Sequence, residues 1–221
     1  MAGFGQHVVR LVGFSLPFPP DALEGCVAPS RYGQDVKDRV RSHKSHIILY
    51  YAGPEKSAVE QYVVLAMPAG AMSTLGGIAA LNEDARTSLP CAFLSPEFYD
   101  EDIVEVLRTL PLPFLYCGFV KYDVEGVAGV WMRTYGADLL GLPDFAALAA
   151  SHAEGQKYFD AFSNVYSYLL KTGAKMVAGN TMQLGAESFF RLRAPDPSEY
   201  YLTGKGTMLV AEIIGGEQIN R

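Results

Sequence analysis

The 221-residue sequence lacks the short motifs that mark common catalytic and phosphate-binding sites. It contains no G-x-S-x-G, the turn that exposes a hydrolase serine, and no G-x-x-x-x-G-K-[ST] phosphate loop. Two glycine-rich stretches, at 179–185 and 204–207, have spacings that differ from that loop. Because glycine readily adopts positive φ, we interpret both stretches as turns between strands. The sequence therefore predicts no catalytic and no cofactor-binding residues.

Cysteines are few, and their arrangement excludes two kinds of cross-link. Cys26, Cys91 and Cys117 are odd in number, widely spaced and without a C-x-x-C pair. They therefore fit neither a disulfide framework nor a zinc site. Cys91 and Cys117 lie in apolar runs, which predicts buried and unreactive thiols. A cysteine nucleophile paired with a distant histidine stays open as an alternative.

Histidines are also few, and only one spacing suits a metal ion. His43 and His46 are three residues apart, so on one helix both imidazoles could bind the same metal. The predicted helix ends near His43, however, and His46 begins the next predicted strand. We therefore predict no metal site.

Basic charge and long apolar runs are scarce as well. The formal net charge is −6, whereas nonspecific nucleic-acid binding requires basic surface that displaces counterions. The longest apolar stretch, 110–120, contains two prolines and a glycine and is too short to span a membrane. The N-terminal residues lack the apolar core of a signal peptide. We therefore expect a cytoplasmic protein whose partner is neither a nucleic acid nor a membrane.

Apolar periodicity predicts one α+β domain over residues 1–221, with its core at about 8–214, in which helices pack on a mixed or antiparallel sheet. The run 45–52 is apolar on both faces, which predicts a central strand buried on both sides. A Ser151–Glu154 capping box predicts the start of a helix whose buried face continues to about 172. The predicted strands are 7–18, 45–52, 78–81, 91–94, 115–122, 127–134, 188–194 and 207–214. The predicted helices are 35–42, 58–72 with a kink or end at Pro68, 95–110 and 151–172.

Acidic residues are concentrated in the predicted helix that begins at Ser95-Pro96. If that helix is continuous, its glutamates at i, i+4 and i+8 form one stripe. Such a stripe is typical of a solvated helix face, and it also suits an acidic surface that steers a basic protein partner. We predict partner binding, rather than acid–base catalysis, by the acidic residues of this segment. These residues are Glu97, Asp100, Glu101, Asp102 and Glu105.

Six short motifs, in order along the chain, resemble the bacterial domain-of-unknown-function 4261 family over roughly 8–214. One motif departs from the family, because Gly179-Asn180 stands where an Asp-Gly usually precedes the threonine. The motifs are Gly13-Phe14-Ser15-Leu16-Pro17, His43-Lys44-Ser45-His46, Ser95-Pro96-Glu97-Phe98-Tyr99, Thr134-Tyr135-Gly136, Leu140-Gly141-Leu142-Pro143 and Gly179-Asn180-Thr181.

This resemblance implies a role as an immunity protein of type VI secretion effectors. In that role the chain is not an enzyme and carries no cofactor. It would bind a cognate secreted antibacterial toxin, for example a nuclease with a basic surface, and block the toxin's active surface. Two alternatives stay open, namely a small-molecule-binding or enzymatic domain and an adaptor subunit of a secretion system.

Overall fold

The computed structural model describes residues 2–99, 102–185 and 187–218. The chain divides into two compact units, Met1–Leu110 with Phe114–Tyr116, and Pro111–Pro113 with Cys117–Arg221. The predicted α+β class, with a mixed sheet and packed helices, is confirmed. The single domain over 1–221 stays a prediction.

The first unit contains two small antiparallel sheets and four α-helices among the residues described. One sheet has the strand order β1-β2-β3, and the other pairs β4 with β5. In chain order the elements are β1 (Ala2–Phe4), β2 (His7–Phe14), α1 (Pro20–Val27), α2 (Gln34–Arg41), β3 (His46–Tyr51), α3 (Ala58–Ala71), β4 (Ala79–Asn82), β5 (Thr87–Pro90) and α4 (Ile103–Thr109). Short 3₁₀ turns cover Met72–Leu75, Cys91–Leu94 and Pro96–Phe98.

The prediction of β3 as a central strand buried on both sides is wrong. β3 lies at the edge of its sheet and pairs with β2 alone among the described strands. One face, which includes Val9 of β2, packs toward α3. Ile47 and Tyr50 remain 48% and 49% exposed. Isoleucine and tyrosine favour strands whether covered or not, so an apolar run alone does not distinguish a central strand from an edge strand.

The two histidines of the motif at 43–46 bond to backbone in the first unit, and His46 connects this motif to the one at 13–17. Nε2 of His43 accepts the Phe18 N–H at 2.7 Å, and its Nδ1 donates to the Val40 carbonyl at 2.6 Å. Nδ1 of His46 donates to the Leu16 carbonyl at 2.9 Å. Both imidazoles therefore hold the backbone in place, which gives His43 and His46 a structural role. Within the described ranges, no three histidine, cysteine, aspartate or glutamate side chains come together as a metal-binding group.

The helix α3 continues past Pro68 to Ala71. Of the two predicted alternatives, a kink or an end at Pro68, the end is therefore wrong. A proline inside a helix removes one backbone donor, and the rest of α3 is held by packing of its apolar side chains. The strand predicted at 91–94 is also wrong. This stretch is a 3₁₀ turn, and the strand is β5, which ends at Pro90. The turn packs closely against the end of α3 at Gly70.

The second unit is built on a six-stranded mixed sheet with the order β6-β7-β8-β11-β10-β9, in which only β8 and β11 are parallel among the described pairs. In chain order its strands and long helix are β6 (Gly118–Tyr122), β7 (Val130–Tyr135), β8 (Asp144–Ala149), α6 (Gly155–Thr172), β9 (Thr181–Gln183), β10 (Ser188–Arg193) and β11 (Met208–Gly215). A one-turn helix, α5 (Leu112–Leu115), precedes them, and 3₁₀ turns cover Ala137–Leu140, His152–Glu154, Pro197–Leu202 and Gly216–Gln218. No helix in the described ranges combines the length and apolarity needed to cross a membrane.

The buried face predicted for α6 is confirmed, and it is largely aromatic. Phe159, Phe162, Tyr166 and Leu169 are buried, and Phe162 stacks on Phe145 of β8 with ring centroids 5.7 Å apart. The helix begins at Gly155, directly after the predicted box, and not at the predicted residue 151. Its N-terminal boundary residue is Glu154, whose carboxylate instead accepts the Ala150 N–H at 2.7 Å. The predicted capping box is therefore wrong, because a 3₁₀ turn separates Ser151 from the helix.

Two helical glycines of the first unit provide a matched test of the packing between α3 and the following turn. A Cβ at Gly70 would collide with the carbonyl group of Leu94, whereas no heavy atom lies within 4 Å of that position at Gly25 in α1. We expect Gly70→Ala to lower the free energy of unfolding by about 2 kcal/mol or more. We expect Gly25→Ala to raise it by about 0.5–1 kcal/mol, because alanine costs less backbone entropy. Urea unfolding monitored by circular dichroism measures both, and equal effects at the two sites would contradict the packing described.

Candidate partner-binding surface

The acidic residues of the 95–110 segment lie on two separate elements, so the predicted continuous helix is wrong. Ser95 caps only the 3₁₀ turn Pro96–Phe98, after which Tyr99 is extended at φ −126° and ψ 144°. α4 begins anew at Ile103, with Asp102 as its N-cap. Ser95 and Asp102 thus each cap a separate element, and the acidic residues do not lie on one helix. Asp100 and Glu101 lie outside the described residues.

The three described acids of this segment have different surroundings. Glu97 is exposed on the 3₁₀ turn. Asp102 is exposed, and its Oδ1 accepts the Val104 N–H at 2.9 Å. Glu105, with its side chain 64% exposed, pairs with Arg108 at 2.6 Å. Arg108 therefore partly offsets the negative charge of Glu105, whereas Glu97 and Asp102 are in none of the ion pairs among the described residues.

Arg108 fixes α4 to α3 by a second ion pair. Its guanidinium binds the Glu60 carboxylate through both Nε, at 3.0 Å, and Nη2, at 2.9 Å. Such a two-point contact has defined geometry, although an exposed pair of this kind contributes only about 1 kcal/mol or less. This contact connects α4, which carries Glu105 and is capped by Asp102, to α3.

Phe98 is an exposed aromatic residue that the sequence patterning did not single out. Its side chain is 54% exposed. It makes edge contacts with Phe93 and Tyr99, at centroid distances of 4.6 and 5.1 Å, and the Tyr99 hydroxyl donates to the Phe93 carbonyl at 3.0 Å. Exposed aromatic rings held in place by their neighbours are typical anchors of protein interfaces. We name Glu97, Phe98, Asp102 and Glu105 together the acidic surface.

The thiols are buried, as predicted for two of them. Burial raises the pKa of Cys26 and of Cys91 to about 11. It raises the pKa of the fully buried Cys117 well above its ordinary value. Because the thiolate is the reactive form, all three thiols are protonated and weakly nucleophilic at neutral pH. This environment disfavours the alternative of a cysteine nucleophile.

The second unit contains a buried carboxyl group that the sequence patterning also missed. Asp144, at the start of β8, is only 5% exposed, and burial raises its pKa from 3.8 to about 6. Its Oδ1 accepts from the Thr134 hydroxyl at 3.1 Å and from the Ala137 N–H at 3.2 Å. The Thr134 hydroxyl also lies 2.7 Å from that of Tyr166. These bonds tie the turn after β7 to β8, which indicates a structural role for the carboxyl group.

The raised pKa of Asp144 makes a specific contribution to the pH dependence of stability. Between pH 4 and 6 the folded protein keeps a proton on Asp144 that the unfolded chain has lost. The free energy of unfolding therefore falls as the pH rises through this window, by about 3 kcal/mol at 1.36 kcal/mol per pKa unit. Asp144→Asn retains an acceptor oxygen without the charge. We expect it to remove this contribution and to be more stable than the natural protein at pH 7.

Urea unfolding at pH 4, 5, 6 and 7 measures this contribution as the difference between the variant and the natural protein. Asp160→Asn, at an exposed position on α6, is the matched control and should leave the pH dependence unchanged. A difference between the Asp144→Asn variant and the natural protein that is the same at all four pH values would contradict the buried, protonatable state of Asp144.

Comparison with known families gives one match, which covers part of the second unit. The family model of the Domain of unknown function (DUF4261) matches residues 133–211, from within β7 to within β11. No match was found among curated proteins, and none was found among solved structures. The match supports the resemblance inferred from the sequence motifs for this part of the chain. Over residues 133–211, this protein is similar to the DUF4261 family.

Proposed function

We propose that this protein is a non-enzymatic immunity protein that binds a cognate secreted antibacterial toxin and blocks its active surface. The observation that carries the proposal is Phe98, a half-exposed aromatic ring that is held by Phe93 and Tyr99 and follows the exposed Glu97 in the chain. The motif resemblance, part of which the DUF4261 match supports, is what suggests a type VI secretion effector as the toxin.

The acidic surface has the composition expected at the centre and rim of a protein interface. Interface centres are enriched in aromatic residues, and the surrounding rim is polar. Phe98 would supply apolar contact area, and Glu97 and Asp102 would supply negative charge beside it. Nuclease toxins have basic surfaces because they hold phosphate backbones. An acidic inhibitor associates faster with such a surface, because opposite charge steers the encounter.

The cellular location follows from the proposed partner. A toxin that attacks nucleic acid acts in the cytoplasm, so its inhibitor would act there too. The net charge of −6 favours a basic partner protein over nucleic acid itself.

The proposal predicts which substitutions weaken toxin binding. Phe98→Ala removes the anchor and should weaken the complex by about 10- to 100-fold, as truncation of an aromatic hot spot commonly does. Glu97→Lys should slow association several-fold at low salt and have less effect at high salt. Glu125→Lys changes the charge by the same amount at an exposed position of the second unit, and should leave association unchanged.

The measurement would use candidate secreted toxins from genes that neighbour the gene of this protein. Surface plasmon resonance at two salt concentrations gives the association and dissociation rates, and growth of a toxin-producing host reports neutralisation. The natural protein and Glu125→Lys should restore growth, and Phe98→Ala should restore it less. If the toxin forms no complex with the natural protein, the proposed function is wrong. If Phe98→Ala and Glu97→Lys both bind as the natural protein does, the toxin binds a different surface. Co-purification with secretion machinery instead of the toxin would favour the adaptor role.

A further inference from the structure

Three hydrogen-bond donors lie side by side on one face of the second unit's sheet. Tyr122 of β6 is directly opposite Trp131 of β7 in the antiparallel register. Arg133 follows Trp131 by two residues on the same strand, so it lies on the same face. We name these three residues the donor cluster. It belongs entirely to the second unit and is separate from the acidic surface in the first unit.

Arg133 carries a buried positive charge without a carboxylate bonded to it. It is 1% exposed, and its Nη1 and Nη2 donate to the carbonyls of Tyr201 and Thr203 at 3.1 and 3.0 Å. None of the ion pairs among the described residues includes Arg133. A weak hydrogen bond connects the guanidinium to the Tyr122 hydroxyl, and buried Nε has no acceptor at full hydrogen-bond geometry among the described residues. A buried charge is stable only when it is well paired or hydrogen-bonded. Arg133 therefore retains capacity for an anionic acceptor.

The other two members of the donor cluster have the same deficiency. The indole Nε1 of Trp131, a residue that is 2% exposed, is buried without a partner among the described residues. The buried Tyr122 hydroxyl has only its weak contact with the Arg133 guanidinium, in which it accepts, so its O–H has no acceptor among the described residues. Buried donors nearly always have acceptors in folded proteins, because an unsatisfied donor costs about 1–3 kcal/mol. The Trp131 N–H and the Tyr122 O–H, beside the charge of Arg133, indicate a place for an acceptor group.

The layer over the donor cluster is thin and made by a short segment of chain. Thr203 and Gly204 are exposed on their outer side, while the Thr203 carbonyl bonds to Arg133 on the inner side. A Cβ at Gly204 would lie 2.9 Å from Nη2 of Arg133, so the backbone passes directly over the guanidinium. Displacement of these two residues would open the donor cluster to solvent and would break the bond between the Thr203 carbonyl and Arg133, which the incoming anion would replace.

We propose that the donor cluster is a binding site for a small oxyanion, either a carboxylate or a phosphate. The indole and Nε groups can only donate, and the Tyr122 hydroxyl donates as well as accepts, so the ligand must offer oxygen acceptors. The positive charge of Arg133 selects an anion over a neutral acceptor. Aromatic rings limit its size, since the ring of Tyr135 lies 4.1 Å from the guanidinium carbon and that of Tyr201 lies 5.8 Å from the Trp131 ring.

Trp131 is the only tryptophan of the chain, so its indole N–H gives a single NMR signal that reports directly on the site. We would titrate the full chain with sodium phosphate, sodium acetate and sodium chloride at constant ionic strength and record this signal. Phosphate or acetate should shift it in a saturable way, and chloride should not. The anion that saturates at the lower concentration identifies the preferred class of ligand.

Two tyrosine variants test whether the donor cluster causes the shift. Tyr122→Phe removes one donor and should weaken the affinity for the anion about tenfold, without lowering the melting temperature in the absence of anion. Tyr200→Phe removes a hydroxyl from the turn Pro197–Leu202, which directly precedes Thr203. Tyr200 is 74% exposed, and the variant should bind the anion as the natural protein does. If neither anion shifts the indole signal beyond chloride, or if Tyr122→Phe responds as strongly as the natural protein, the proposed site is ruled out. Neither result would affect the toxin-binding proposal, which depends on the first unit.

Discussion

The buried charge of Arg133 is the constraint around which the second unit is arranged. Because two carbonyls rather than a carboxylate bond the guanidinium, the chain from Pro197 to Gly206 has to pass over β7 with those carbonyls pointing inward. This path explains why position 204 is a glycine, since a Cβ there would lie 2.9 Å from Nη2 of Arg133. On the opposite face of the sheet, the aromatic side chains of α6 pack without polar requirements apart from those of Tyr166 and Thr134. One face of the sheet is thus fixed by a charge and the other by apolar packing.

The thiols and the proposed contact residues occupy opposite environments. The three thiols and the Asp144 carboxyl are buried, and burial raises the pKa of each. Phe98 and Glu97, in contrast, are exposed on a short turn whose shape is fixed by Ser95 and by contacts among aromatic rings. Groups that transform a substrate have to reach it, whereas groups that cover another protein need only a fixed position on the surface. This distribution favours a binding role.

Apolar periodicity predicted those elements that bury a single side. Examples are α6 and β10, since the buried residues of each lie on one face. β8 was missed since its alanines resemble neither a typical strand nor a helix of the required length. The division of 95–110 depends on competition between two N-caps, Ser95 and Asp102, which periodicity does not resolve. Burial of Arg133 was likewise not predictable, because an arginine in an alternating strand normally marks the solvent side.

Inhibition of the toxin as a function of molar ratio would test the binding role most directly. Toxin activity would be measured after incubation with increasing amounts of this protein, at short and long times. A binding inhibitor predicts a linear loss of activity that reaches completion at a fixed molar ratio and does not change with time, since each toxin molecule needs its own inhibitor. Unchanged activity at excess inhibitor would contradict toxin neutralisation. Complete loss at a small fraction of that ratio, increasing with time, would show instead that the protein acts catalytically.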